Sequence, residues 1–187
     1  GNGGDGGNGS GAGLYSAGNI FVVNCTFAAG GAFGGTNGVA GSGGFPGSDG
    51  HFGQARGGGL ATGGATFTLK NTLIATNHAG GGGYGTIVDA GNNLSADASL
   101  SFGASSFKSL EPKLGAFATN GGFIQTLLPL AGSPAIDAGD AAVGLGFDQR
   151  GVARPSGLKP DIGAVEVAMP VFTLTPASRT NATGSST

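Results

Sequence analysis

Two stretches of the chain alternate apolar and polar residues with the two-residue period of a β-strand that buries one face. They are LYSAGNIFVVNCTF at 14–27 and LATGGATFTLKNTLIATN at 60–77. A shift of 46 residues places Leu14 on Leu60 and Gly18 on Gly64. The match predicts one strand unit present in two copies, in a chain that winds back over itself.

The same shift divides each unit into an inward and an outward face. The predicted inward residues are Phe21, Val23, Cys25 and Phe27, stacked on Phe67, Leu69, Asn71 and Leu73. The predicted outward residues are Asn24, Thr26, Thr66, Thr68, Lys70 and Thr72, interrupted by Ile20 and Val22 in the first copy. A shift of 47 would stack Asn24 on Asn71 and bring Lys70 level with Val23. The shift of 46 is preferred because it keeps that charge out of the core.

Glycine recurs every third residue in two segments. Residues 1–9 read GNGGDGGNG, and glycine occupies positions 35, 38, 41, 44, 47, 50 and 53. A polyproline II helix has three residues per turn, so this spacing aligns the glycines along one edge that another backbone can approach closely. We predict that residues 1–9 and 35–53, with 80–85 as a further candidate, are extended helices packed side by side against the strands. The alternative is a set of flexible loops, because glycine loses the most entropy on ordering.

Composition narrows the classes of partner. Only 10% of the 187 residues are charged, the formal net charge is −2, and 43 residues are glycine. A basic surface for nucleic acid or anionic lipid is therefore not expected, and no apolar run approaches membrane-spanning length. The single cysteine, Cys25, excludes an internal disulfide and is predicted to be a buried thiol. The opening residues lack the features of a signal peptide, so a fragment of a longer protein is expected.

The organisation predicted along the chain has three parts. Residues 1–115 hold the strand units and their glycine-rich insertions, 116–167 form a C-terminal capping module, and 168–187 are a linker or the first strand of a following domain. Apolar and polar residues alternate along the segment 171–175, which is flanked by Pro170 and Pro176. An unpaired strand of this kind can be donated to the sheet edge of a neighbour.

The capping module holds the chain's one dense group of charges: Asp137, Asp140, Asp148, Arg150, Arg154, Lys159, Asp161 and Glu166. Asp137, Asp140 and Asp161 are candidate calcium ligands, and with an arginine they could serve a polysaccharide lyase or, as paired carboxylates, a glycosidase. The favoured interpretation is structural, because Asp and Arg satisfy backbone groups in a loop-rich cap. It assigns Asp137, Asp148, Arg150, Arg154, Asp161 and Glu166 to the cap and assigns no catalytic or cofactor-binding residue.

The two strand units resemble rungs of right-handed parallel β-helix proteins of bacterial surfaces. The ordered series SPAIDAGD, DQRG, RP and DIGAVE within residues 133–166 is similar to the closing module of the choice-of-anchor Q family, which is related in style to polymorphic outer-membrane proteins. The resemblance implies an all-β fold: a parallel β-helix with few rungs, polyproline-II-like insertions and a C-terminal cap. It also implies secretion or surface display, and the PVFTLTP segment resembles the start of the immunoglobulin-like domains that follow such modules.

We therefore expect a non-enzymatic extracellular structural protein, either a stalk or adhesin segment or a self-assembling fibre subunit. The expected partners are further copies of the chain, neighbouring domains of a longer chain, or polysaccharide, with no nucleic acid and no membrane insertion. The alternatives are a carbohydrate-binding module and a polysaccharide lyase or hydrolase of the β-helix type. Calcium is the single candidate cofactor.

Overall fold

The computed structural model describes residues 1–43 and 47–169. The strands are β1 (Gly9–Ser10), β2 (Leu14–Ser16), β3 (Ile20–Val23), β4 (Thr26–Ala28), β5 (Ala55–Arg56), β6 (Leu60–Lys70), β7 (Leu73–Ala75), β8 (Gly83–Asp89), β9 (Leu94–Ser95) and β10 (Phe107–Lys108). A 3₁₀ helix covers Ala141–Val143. The pairings among these strands are all parallel, and isolated antiparallel bridges join Leu114 to Pro129, Ala118 to Thr126 and Phe147 to Ala153. The predicted all-β class is confirmed, together with the return of the chain to pair with its own earlier strands.

Three successive passes of the chain form layers that stack in sequence order. The first layer is residues 14–28, the second is 60–75 and the third is 83–95. In one sheet β6 lies between β2 and β3 on one side and β8 on the other. In a second sheet β7 lies between β4 and β9, and β10 follows β9. A short third sheet pairs β1 with β5.

The register between the first two layers corrects the predicted shift. Leu14 pairs with Leu60, as the shift of 46 requires, but Ile20 pairs with Phe67, at a shift of 47. The second layer holds one more residue between these points, at the turn where Gly64 has a φ of +95°. That extra residue turns the predicted faces over, because side chains alternate between the two sides of a strand.

The predicted inward positions of Phe21 and Val23 are therefore wrong. Phe21 is 64% exposed, whereas Val22 beside it is 5% exposed and belongs to the core. Val23 lies level with Lys70, away from the core, so the register brings no charge inside. The predicted inward positions of Cys25 and Phe27 are confirmed, since both pack against the core.

The core is a column of apolar side chains contributed layer by layer. Val22, Leu60, Phe67, Leu69, Ile74 and Leu100 are buried in it, and Leu14, Ile20 and Ile87 pack against it. Complete burial of one large aliphatic or aromatic side chain contributes roughly 2 kcal/mol. Stacking of like side chains therefore supplies much of the stability that joins consecutive layers.

A row of asparagines marks the corner between the two larger sheets. Asn24, Asn71 and Asn92 adopt positive φ angles of 48°, 49° and 55°. Asparagine tolerates this left-handed conformation better than most residues. The backbone N–H of Asn24 donates to Lys70, and that of Asn71 donates to Gly91, so the corners stack like the strands.

The glycine-rich segments pack side by side, as predicted for residues 1–9 and for the described part of 35–53. Gly3, Gly6 and Gly9 donate backbone hydrogen bonds to the segment at 48–54, and Gly35, Gly38 and Gly41 donate to the segment at 1–7. Gly50 and Gly53 donate in turn to Gly38 and Gly35. Each segment thus bonds to both others at three-residue intervals. Many of these glycines leave no room for a side chain: a Cβ on Gly6 would overlap the carbonyl oxygen of Gly35.

The prediction for residues 80–85 is wrong. Gly80 and Gly81 have φ angles of 92° and 70°, on the opposite side of the Ramachandran plot from polyproline II. Residues 83–85 already belong to β8. The short run of glycines is a turn that feeds the third layer.

Candidate functional site

The capping module lies beside the layers rather than across their end. Side chains alternate along β7, so Ile74 joins the core of the layers, while Leu73 and Ala75 point away from that core and toward the capping module. Leu73, Ala75 and Leu94 pack there against Ala135 and Ile162 of the module. Hydrogen bonds from the module's backbone help to fix the position: the N–H of Gly163 donates to the carbonyl of Asn71 at 2.8 Å, and that of Ala164 donates to Oγ1 of Thr26 at 2.9 Å.

Asp148 and Arg150 form the first charged pair of the module. The carboxylate of Asp148 lies 2.9 Å from the Arg150 guanidinium and accepts the backbone N–H groups of Arg150, Val152 and Glu166. Burial alone would raise the pKa of Asp148, but these hydrogen bonds bring the pKa below its usual value. Arg150 also donates to the carbonyls of Asn120 and Glu166. The pair therefore joins three separate stretches of chain.

Arg154, Asp161 and Glu166 form a second, more deeply buried network. Glu166 is fully buried, lies 3.3 Å from Arg154 and accepts the backbone N–H groups of Ser156 and Asp161. Arg154 donates to the carbonyls of Asp161 and Gly163. Burial raises the pKa of Asp161 to about 6, against the lowering effect of the N–H groups of Asp137 and Val167. The three side chains therefore hold together the loops of the module that contain residues 137, 154–156 and 161–167.

The three calcium candidates do not form a ligand set. Asp140 lies 2.7 Å from Lys70 and accepts the N–H of Ala142, while Asp137 accepts the N–H of Lys159. In the described part of the chain, no group of three or more His, Cys, Asp or Glu side chains is placed to hold a metal ion. The carboxylates of the module are instead occupied by backbone donors and by cationic partners.

Two aspartates that the sequence did not single out close the far end of the stack. Asp89 accepts hydrogen bonds from Gly91, Gly103, Asn93 and Ser106, and these outweigh the effect of burial and lower its pKa. The clearest sequence signal of the two aspartates is the set of glycine, asparagine and serine residues near them, in DAGNN for Asp89 and in ADAS for Asp97. Such residues are typical of turns in which an Asp side chain accepts a backbone hydrogen bond.

Asp97 acts in the same way at the other side of the third layer. It accepts the N–H of Gly82 at 2.7 Å and both the N–H and the hydroxyl of Ser99. Leu100 is buried over the core and Phe102 packs beside it. Residues 97–108 thus cover the core and the β9 side of the third layer, although no strand in the described part of the chain pairs with the second edge of β8. We call this side of the stack the closed end.

The opposite side of the stack is open. β2, β3 and β4 each pair along one edge, and no other strand within residues 1–43 or 47–169 pairs with their second edge. We call this second edge, over residues 14–28, the open edge. Core-facing Leu14, Ile20 and Phe27 are only partly buried there, whereas Leu60, Phe67 and Ile74 in the second layer are 0–1% exposed.

A groove runs along the open edge between residues 24–29 and the capping module. It consists of two adjoining depressions of about 560 and 480 Å³ that share Thr26, Gln149 and Ala164. One depression touches Asn24, Cys25, Thr26 and Phe27 in succession. Because successive side chains of a strand point to opposite faces, this depression lies over the strand's edge rather than over a face. The module contributes Phe117, Leu127, Leu145, Phe147 and Val165. We call this feature the edge groove.

Two buried polar atoms beside the edge groove lack hydrogen-bond partners among the described residues: Oδ1 of Asn24 and Nε of Arg154. Each residue is 9% exposed, and both line a small pocket of about 120 Å³ as well as the groove. An unpaired buried polar atom costs about 1–3 kcal/mol. One acceptor and one donor are therefore unpaired and buried beside the groove.

Comparison with protein-family models, curated proteins and solved structures found no match to this chain. Within the described residues, no helix is long and apolar enough to cross a membrane.

Proposed function

We propose that this chain is a non-enzymatic structural protein of the cell exterior that assembles through its open edge. The stacked layers are the rungs of a right-handed parallel β-helix, the glycine segments are polyproline-II-like helices, and residues 116–167 are a module of the choice-of-anchor Q kind. The assembly is a fibre or a stalk in which each copy supports the next.

The open edge is the observation that carries this proposal. An edge strand presents a row of unpaired N–H and C=O groups that readily pair with another chain. The edge lies beside exposed Phe21 and beside the unpaired Oδ1 of Asn24. The closed end has no comparable exposed core, because Leu100 is buried over it. A contact between two different surfaces of one protein repeats head to tail, and it forms a fibre when its rotation does not close into a ring.

The arrangement of charges supports a structural role over an enzymatic one. Asp148, Asp161 and Glu166 each accept at least two backbone hydrogen bonds. A general acid or base must exchange its proton with a substrate, and carboxylates engaged in this way are poorly placed to do so. The exterior location rests on the resemblance to surface-displayed β-helix proteins.

Assembly is tested by sedimentation velocity and electron microscopy of the full chain over a range of concentrations. We expect elongated particles that grow with concentration. Phe21→Asp at the open edge should raise the concentration needed for assembly at least about tenfold, because a charge there must be desolvated on contact. The matched control is Val88→Asp, since Val88 is 44% exposed and shares an outward row with Phe21 and Thr68, but in the third layer. Monodisperse single chains at every concentration would contradict the proposal.

A further inference from the structure

We propose that the edge groove binds an extended strand, and that this strand is the segment 171–175 of a second copy of the chain. The inference rests on the proposed function and names the contact through which copies join. Residues 170–187 lie outside the described part of the chain, so the argument uses the geometry of the groove and the sequence of the segment.

The polar atoms of the groove match a peptide backbone. Oδ1 of Asn24 needs a donor and Nε of Arg154 needs an acceptor. An extended peptide offers N–H and C=O groups in alternation, so it can pair with the free edge of β4, and a small shift of the Asn24 and Arg154 side chains, whose unpaired atoms are themselves buried, would bring these atoms to it. A flat apolar surface or a purely anionic ligand would leave the Asn24 oxygen unpaired.

The side chains of the groove match the alternation of VFTLT. Phe172 and Leu174 share one face of an extended strand, and Thr173 lies on the other. The groove offers Phe117, Leu127, Leu145 and Phe147 as apolar contacts.

Charge points to the same occupant. The larger depression is lined by uncharged residues, and the charged residues of the smaller one, Asp148 and Arg154, are already ion-paired. Residues 170–178 carry no charged side chain. An uncharged strand therefore enters without leaving an unpaired charge in the contact.

Chain length and position make the segment available. The described chain ends at Met169, whose N–H donates to Oγ of Ser156 on the capping module. Residues 171–175 begin two positions after Met169, and at about 3.3 Å per extended residue the segment lies within about 7–20 Å of it, so it can project from the surface of its own module. Pro170 and Pro176 lack the N–H of a ladder hydrogen bond and limit the pairing strand to the five residues between them.

Single substitutions in the full chain test the segment. Phe172→Asp and Leu174→Asp should each raise the concentration needed for assembly at least about tenfold, because a buried apolar contact is replaced by an unpaired charge. The matched control, Thr173→Asp, adds the same charge on the opposite face and should leave assembly within about threefold of wild type. Equal effects of all three variants, or of none, would overturn the role of 171–175. Assembly unaffected by any of them would leave the proposed function standing, whereas absence of assembly in the wild type would remove it.

Disulfide trapping tests whether the strand comes from a second copy. Cys25→Ser chains carrying Ala28→Cys are mixed under mild oxidation with Cys25→Ser chains carrying Leu174→Cys, because Ala28 lines the groove and Leu174 lies on the face of the segment that enters it. We expect a disulfide-linked pair of the two chains, reduced at least about fivefold by an excess of the peptide PVFTLTP, since the peptide competes for the same groove. When both cysteines are placed in one chain, linked multimers should predominate. A linked monomer would show that the segment closes its own groove, and no disulfide in either arrangement would show that it binds elsewhere; each result overturns the inference.

Discussion

The two ends of the stack of layers differ in how their last strands are treated. At the closed end, the column that begins with Val22 and Leu69 ends in Asp89, which accepts four hydrogen bonds. At the open edge the same column ends in Val22, beside a corner asparagine whose side-chain oxygen has no partner among the described residues. The closed end therefore has the hydrogen-bonded polar groups of a protein surface, whereas the open edge leaves core residues and backbone groups without partners in the described part of the chain.

This difference between the two ends indicates which surface of the chain binds a partner. Both ends face the same problem, because a stack of parallel strands must end in unpaired backbone groups and exposed core. The closed end covers its core within the chain by means of Asp89, Asp97 and Leu100, although the second edge of β8 pairs with no strand among the described residues. The open edge leaves the problem to a further layer or strand. We infer that the open edge, together with the edge groove beside it, is an interface.

The largest expected effect comes from removing the closure. Asp89→Ala leaves the donors of Asn93, Gly103 and Ser106 without their acceptor, and we expect a loss of about 3–5 kcal/mol in the free energy of unfolding. The measurement is urea denaturation of Asp89→Ala beside Phe21→Ala, which should lose less than about 1 kcal/mol because Phe21 is largely exposed. Similar losses in both variants would erase the difference between the ends.

The pH dependence separates Asp161 of the capping module from the aspartates of the closed end. The pKa of Asp161 is raised from 3.8 to about 6, so the folded state binds its proton more tightly than the unfolded state. Its contribution is therefore complete below about pH 4 and is lost as the pH rises to about 6, by roughly 3 kcal/mol in all. Asp89 and Asp97 have lowered pKa values and act oppositely, losing their contribution as the pH falls below about 4.

Urea denaturation at pH 4.5 and pH 7 checks this assignment with Asp161→Asn, which should be less stable than wild type at pH 4.5 and should lose less stability between the two values. The Asp89→Asn variant is the control and should keep the slope of the wild type between them. An unchanged slope in Asp161→Asn would place the titrating group elsewhere.

The glycine segments allow a smaller and sharper test on the side of the stack that leads into the first layer. Gly6→Ala places a methyl group against the carbonyl of Gly35 and should cost about 1–3 kcal/mol, because the close approach of the two backbones must give way. The neighbouring Gly7→Ala meets nothing within 4 Å and should be neutral within about 0.5 kcal/mol or slightly stabilising. Thermal unfolding compares the two variants. Equal losses would mean that the three segments are not packed in the hydrogen-bonded arrangement described above.

Part of this architecture follows from the sequence and part does not. The two strand units, the all-β class and the packing of the glycine segments at 1–9 follow from periods of two and three, which are local properties. The register does not, because a single extra residue in the turn near Gly64 changes the shift from 46 to 47 and reverses the faces of Phe21 and Val22. The period alone cannot locate such an insertion.

The candidate site shows the same limit. The charges of the capping module could be recognised as one group from their density along the chain. Their partners could not, since Asp161 accepts the N–H of Asp137 from 24 residues away and Lys70 reaches Asp140 from another part of the fold. The roles of Asp89 and Asp97 also depend on donors that lie on neighbouring passes of the chain. The edge groove has no sequence signature, because it is formed between the first layer and the module, which come from distant parts of the chain.

Hydrogen exchange of assembled against dispersed full-length chain tests the central claim most directly. The account predicts that backbone amides of residues 20–29 gain at least about tenfold protection on assembly, because the open edge becomes paired. Amides of residues 83–108 at the closed end should exchange at the same rate in both samples. Equal gains in protection at both ends, or gains confined to residues 83–108, would contradict the claim that the chain assembles through its open edge and not through its closed end.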